Sequence, residues 1–158
     1  MHDTRTRLAV RRSTRLAATA CAVGLAASLT GATPLSGPVA ITPESARWAT
    51  PPGLPGAQSA WMLGAETQPG RYVLRVRLAA GTRIPPHAHP DERYTTVLHG
   101  TLYVGFGRAF EERGVVAIPA GAIYVAPAGI PHYVWARDGE VVYQEAGSGP
   151  TATVFEPR

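Results

Sequence analysis

Beyond the first 60 positions, apolar and polar residues alternate in short runs separated by Gly and Pro, and no helical period holds after the leader. The clearest run is 71–79, with Leu74, Val76 and Leu78 on one face and Val73, Arg75 and Arg77 on the other. Two β-rich runs, 94–98 and 101–106, meet at His99-Gly100, which reads as a hairpin turn. Further short strands are expected at 115–118, 123–126, 133–136, 141–145 and 152–155. Strands of this length and spacing predict an all-β sandwich or barrel. The aromatics Tyr94, Tyr103, Phe106, Tyr124, Tyr133, Trp135 and Tyr143 fall on or near these strands and are assigned to the core or to contacts of the barrel.

The first 40 residues have a different pattern. Arg5, Arg7, Arg11, Arg12 and Arg15 precede an Ala-rich apolar run, 16–29, followed by small residues at Thr30-Gly31-Ala32 and Pro38-Val39-Ala40. This is the layout of an export signal, with Arg11-Arg12 hinting at twin-arginine export. The apolar run is shorter than the roughly 20 residues of a membrane span, so no stable span is expected once the signal is cleaved. The expected organisation is a signal peptide at 1–32 with cleavage as late as 40, an irregular arm or linker at 33–57, and a β-barrel domain at 58–158. A secreted or periplasmic protein follows from that layout.

Charge sharpens the picture. The formal net charge of +4 is carried by the leader, and residues 41–158 are balanced between Arg and acids. A neutral domain offers no basic face to nucleic acid. The chain has no Lys, which excludes Schiff-base chemistry. Its only cysteine, Cys21, lies in the leader, so the domain has no disulfide and no thiolate donor. A metal here must sit on nitrogen and oxygen.

The candidate chemistry centres on His87-Ala88-His89. Two histidines at i, i+2 on extended backbone point to one face, and Pro85-Pro86 stiffens the approach. Gly81-x5-His87-x-His89-x10-Gly100 is followed by Gly121-x5-Pro127-x-Gly129-x2-His132. In these residues the chain resembles the cupin superfamily, whose two motifs read G-x5-H-x-H-x3,4-E-x6-G and G-x5-P-x-G-x2-H-x3-N. The resemblance covers roughly 72–146. It implies a single-domain, jelly-roll-like cupin barrel whose motif histidines and glutamate bind a divalent metal, here Fe, Mn, Ni, Zn or Cu.

Two positions depart from the motifs. Arg93 stands where the motif glutamate belongs, with Asp91 and Glu92 just before it, and Ala136 stands where the second motif often has Asn. Three arrangements follow. A local bulge brings Glu92 in as fourth ligand beside His87, His89 and His132; or the ion sits on three histidines and water; or the Arg93 charge leaves the pocket metal-free. The first is the leading expectation. His99, beside a turn glycine, is assigned to the surface.

By resemblance, the chain is an exported metal-binding cupin that acts on or binds a small organic molecule, with a dioxygenase first among enzymes. The alternatives are a non-catalytic binding or sensing cupin and a metal-free structural barrel. A homodimer is the oligomeric state the resemblance implies.

Overall fold

The computed structural model describes residues 37–157. The proposed signal peptide and Cys21 lie outside the described residues. Ten strands form in order: β1 (Ala57–Leu63), β2 (Gly70–Leu78), β3 (Arg83–Ala88), β4 (Arg93–His99), β5 (Thr101–Phe106), β6 (Val116–Pro119), β7 (Ile123–Ala126), β8 (His132–Trp135), β9 (Val141–Gly149) and β10 (Val154–Phe155). They make two five-stranded sheets, one in the order β1-β2-β9-β4-β7 and the other β10-β3-β8-β5-β6. Every strand pair is antiparallel. The helical content of the described residues is two short 3-10 turns, Pro43–Ser45 and Glu112–Gly114.

Alternation along the strands builds the core. On β2 the inward set is Tyr72, Leu74, Val76 and Leu78, as the pattern predicts. They meet Ile84, Leu102, Val104 and Val134 from the second sheet, and Val97, Val141 and Tyr143 from the first. Burying such side chains contributes roughly 1.5–3 kcal/mol each. Before β1, Ala49 forms an isolated bridge with Ser59 and so ties the arm to the first sheet's edge.

The His99-Gly100 turn is not a hairpin. β4 pairs with β7 and β9, whereas β5 pairs with β6 and β8. The turn is therefore a corner that carries the chain between sheets. Gly100 has φ of 75°, and a Cβ there would strike the Glu140 carbonyl. Only glycine adopts that conformation at so close an approach without strain.

Candidate metal centre

The two prolines before His87 aim its ring. Ile84 faces the core opposite Val134, so simple alternation would turn residue 87 outward. Pro85 and Pro86 have no N–H to give to the ladder. The register shifts between Ile84 and His87, and the extra residue brings His87 back inward, opposite His132. His132 begins β8 on the same inner face as Val134. His89 lies two residues beyond His87, just past the end of β3.

The three rings converge. Ring centroids are 4.4 Å apart for His87 and His132, 4.9 Å for His87 and His89, and 5.2 Å for His89 and His132. One nitrogen from each lies within 4.8 Å of the others, and all three side chains are buried. Each Nδ1 faces a backbone carbonyl: Pro85 at 2.8 Å for His87, Ala152 at 2.9 Å for His89, and Ile130 at 3.3 Å for His132. A carbonyl only accepts, so Nδ1 carries the proton and donates it. That tautomer leaves each Nε2 with a free lone pair.

Electrostatics hold the rings neutral. Burial lowers the His87 pKa to about 4, helped by neighbouring His132. Burial and then the Arg93 charge lower His89 to about 2. Burial, with Arg93, also lowers His132. Neutral imidazole is the form that ligates a metal. The Nε2 of His89 is buried without any hydrogen-bond partner. Such an orphaned acceptor is costly in a protein interior unless something else fills it. The donor set therefore fits a divalent ion of the kind that imidazole suits.

The predicted acid does not join the rings. Glu92 precedes β4 on its outer side, is exposed, and accepts a 2.5 Å hydrogen bond from Tyr94. No bulge at the start of β4 re-aims it, because Arg93, Thr95 and Val97 take the inward parity. Arg93 itself is 3% exposed. It donates to Glu145 at 2.7 Å and to the Thr151 hydroxyl at 2.9 Å. Thr151 in turn donates to Asp91, and Tyr72 donates to the other Asp91 oxygen at 2.6 Å. His99 is exposed, as its turn position implies.

Glu145 is the buried charged residue the sequence reading missed. A signal for it exists: Val141, Tyr143 and Glu145 share a parity, so an acid continues an inward apolar row. Burial raises its pKa while Arg93 pulls it down.

His87, His89, Arg93 and Glu145 line one cavity of about 300 Å³, walled by Trp61, Leu74, Val76, Ile84 and Phe155. A larger, shallower depression of about 800 Å³ lies around Gly53, Thr82, Arg83 and Phe110 and contains no histidine or acid. The histidine cavity is where convergent polar groups meet apolar walls, the pattern of a small-molecule site.

Comparison with known proteins agrees with this architecture. The family model described as cupin domain matches residues 74–144. Germin-like protein 1-1 of Oryza sativa subsp. japonica is 31% identical over 86 residues, spanning 54% of this chain. That stretch is 36% of the relative, so the chain spans about a third of its length. The DMSP lyase DddQ from Ruegeria pomeroyi superposes with a TM-score of 0.59 at 20% identity, over 71% of this chain and 61% of that one. Salicylate 1,2-dioxygenase from Pseudoaminobacter salicylatoxidans gives a TM-score of 0.54 at 17% identity, over 67% of this chain and 31% of that one. At such identities the two structures speak for the fold alone. Both glycine-histidine motifs and the converging histidine triad lie within the matched segment, and residues 74–144 are thereby identified as a cupin domain.

Proposed function

We propose that this cupin is an exported protein that holds one divalent metal ion on His87, His89 and His132 and acts on a small organic molecule in the adjoining cavity. The observation that carries the reading is the buried, partnerless Nε2 of His89, facing two further imidazoles whose Nδ1 atoms are also committed to carbonyls. An ion so placed supplies Lewis-acid or dioxygen chemistry, depending on its identity. The chain's own residues orient the donors, exclude water with apolar walls, and leave the cavity side of the site open. Glu92 has no place in the proposed donor set.

Dioxygenation is the reaction class to test first, because nitrogen donors with open positions suit iron and dioxygen. Superfamily membership does not choose the reaction: the two structural relatives are a lyase and a dioxygenase. A binding or sensing role without turnover is the second reading, since a cavity of about 300 Å³ accommodates a small molecule whether or not it reacts. Export is supported by the Arg-rich, then Ala-rich leader. No helix among the described residues is long and apolar enough to cross a membrane.

The test is elemental analysis of protein purified without a histidine tag. Close to one equivalent of metal is expected in the wild type and almost none in His89→Ala. Full metal content in His89→Ala would overturn the site. Dioxygen uptake with catechol-like or flavonol-like compounds would then separate turnover from binding.

A further inference from the structure

We infer that Thr151 is a positioning residue for the metal site: held by Arg93 and Asp91, it fixes the Ala152 carbonyl against the His89 ring and so leaves Nε2 as the ligating nitrogen of that ring. This rests on the metal reading above. Each of the three rings bonds a carbonyl through Nδ1, but the carbonyls have different origins. His87 uses Pro85 and His132 uses Ile130, each two residues back along its own stretch of chain. His89 uses Ala152, 63 residues on. It lies past the end of β3, and its own carbonyl accepts from the Gly129 N–H at 2.8 Å. That contact secures the backbone and leaves the ring free to turn. Ala152 also lies outside the segment 74–144 that matches the cupin domain, so this orienting group is an addition from elsewhere in the chain.

The chain anchors that carbonyl at the residue before it. Thr151 is buried and tied in three ways. Its backbone N–H donates to the Glu66 carbonyl at 2.8 Å, its hydroxyl accepts from Arg93 at 2.9 Å, and the same hydroxyl donates to Asp91. Arg93 is braced in turn by Glu145 at 2.7 Å, and Asp91 by Tyr72 at 2.6 Å. Beyond Ala152 the segment joins β3, where Val154 pairs with Ala88 and Phe155 with His87. The Ala152 carbonyl is thus clamped between a buried polar network and the strand that carries the first histidine. Neutral imidazole has two tautomers, and only the one protonated on Nδ1 keeps a lone pair on Nε2. A fixed acceptor at Nδ1 selects that tautomer and orients the ring, as partners of metal-bound histidines do. Arg93 stands where the motif has a ligand acid, and here it acts on the site through Thr151.

The experiment follows the His89 ring nitrogens of the metal-free protein by nitrogen NMR, assigned by their loss in His89→Ala, and pairs that readout with Co2+ titration. In the wild type the ring is expected almost wholly as the Nδ1–H tautomer. Thr151→Val removes the hydroxyl and keeps the backbone contact to Glu66. It should give a mixture of tautomers and weaken Co2+ binding by about tenfold, the lower end of the loss when an orienting partner is removed. Thr151→Ser, which restores the hydroxyl, should recover both. A Thr151→Val protein with a lower urea midpoint but an unchanged tautomer would make the hydroxyl merely structural and overturn the inference. Mixed tautomers with unchanged Co2+ binding would overturn it too. If Thr151→Val does not fold, the gentler Tyr72→Phe decides: it releases one oxygen of Asp91 and should mix the tautomers to a lesser degree, and an unchanged tautomer there counts against the inference. A wild type that binds Co2+ but carries the His89 proton on Nε2 when metal-free overturns this inference alone. A wild type that binds no Co2+ overturns the metal reading, whatever the tautomers show.

Discussion

On one side of the cavity, β3, the residue just beyond it and β8 present three buried imidazoles with Nδ1 bonded to carbonyls and, at His89, an Nε2 bonded to nothing. On the other side, β4 and β9 present Arg93 and Glu145, equally buried but joined to each other and, through Thr151, to Asp91 and Tyr72. The same desolvation acts on both groups. One has its opposite charges paired from within the chain, with only the Arg93 Nε left without a hydrogen bond. The other leaves a lone pair for something the chain does not supply. Neither burial nor the lack of a partner marks a site by itself, since the Arg93 Nε is also unpartnered; what sets the His89 Nε2 apart is its convergence with two further imidazoles.

The largest expected effect tests the paired side. Glu145→Ala leaves the Arg93 guanidinium buried without its main counter-charge. Breaking a buried ion pair from one side costs about 3–5 kcal/mol. Urea unfolding of the metal-free protein should show a lower midpoint with an unchanged slope. A near-wild-type midpoint would mean that Asp91, 3.8 Å from the Arg93 Nε, carries the charge alone. The two sides would then differ less than their hydrogen bonds imply.

A smaller effect is expected on the histidine side. Gly105 pairs with Tyr133, and a Cβ at 105 would run into the Tyr133 ring. That ring is buried and lies tilted against Phe110, centroids 4.7 Å apart, so it has little room to yield. Gly105→Ala should destabilise by about 1–3 kcal/mol, the usual cost of overpacking. Because Tyr133 adjoins His132, metal content should fall too. Lost stability with full metal content would show that the start of β8 holds His132 independently of its neighbour.

Much of this was legible in the sequence, and the illegible parts have physical reasons. The alternation of β2 and the limits of β5 and β7 are local signals, and the structure keeps them. The histidines were legible through motif spacing. What brings His87 inward is the register shift at Pro85-Pro86, and a shift is a property of the pair β3–β8, not of β3. The corner at Gly100 looked like a hairpin because turn chemistry reports a reversal and is silent about which strands pair afterwards. Arg93 is buried because Glu145, 52 residues on, sits beside it. Parity marked Glu145 as inward, but nothing local marked its partner.

The smallest expected effect concerns Glu92, the acid that the sequence reading placed as fourth ligand. Glu92 lies one position before the inward row of β4, and its carboxylate is tied to the exposed Tyr94 hydroxyl at 2.5 Å. Glu92→Gln removes a solvated charge and alters one exposed hydrogen bond. Surface changes of that kind usually stay within about 0.5 kcal/mol. Both the urea midpoint and the Co2+ dissociation constant should match the wild type. A carboxylate ligand behaves otherwise, since its loss removes a donor and a compensating charge at once, and outer-shell losses alone typically weaken metal affinity by about 10–100-fold. A weakening of that size in Glu92→Gln would require the segment before β4 to fold inward around the ion. Arg93 would then have to give up its inward parity, and with it the contact to Glu145 that distinguishes one side of the cavity from the other.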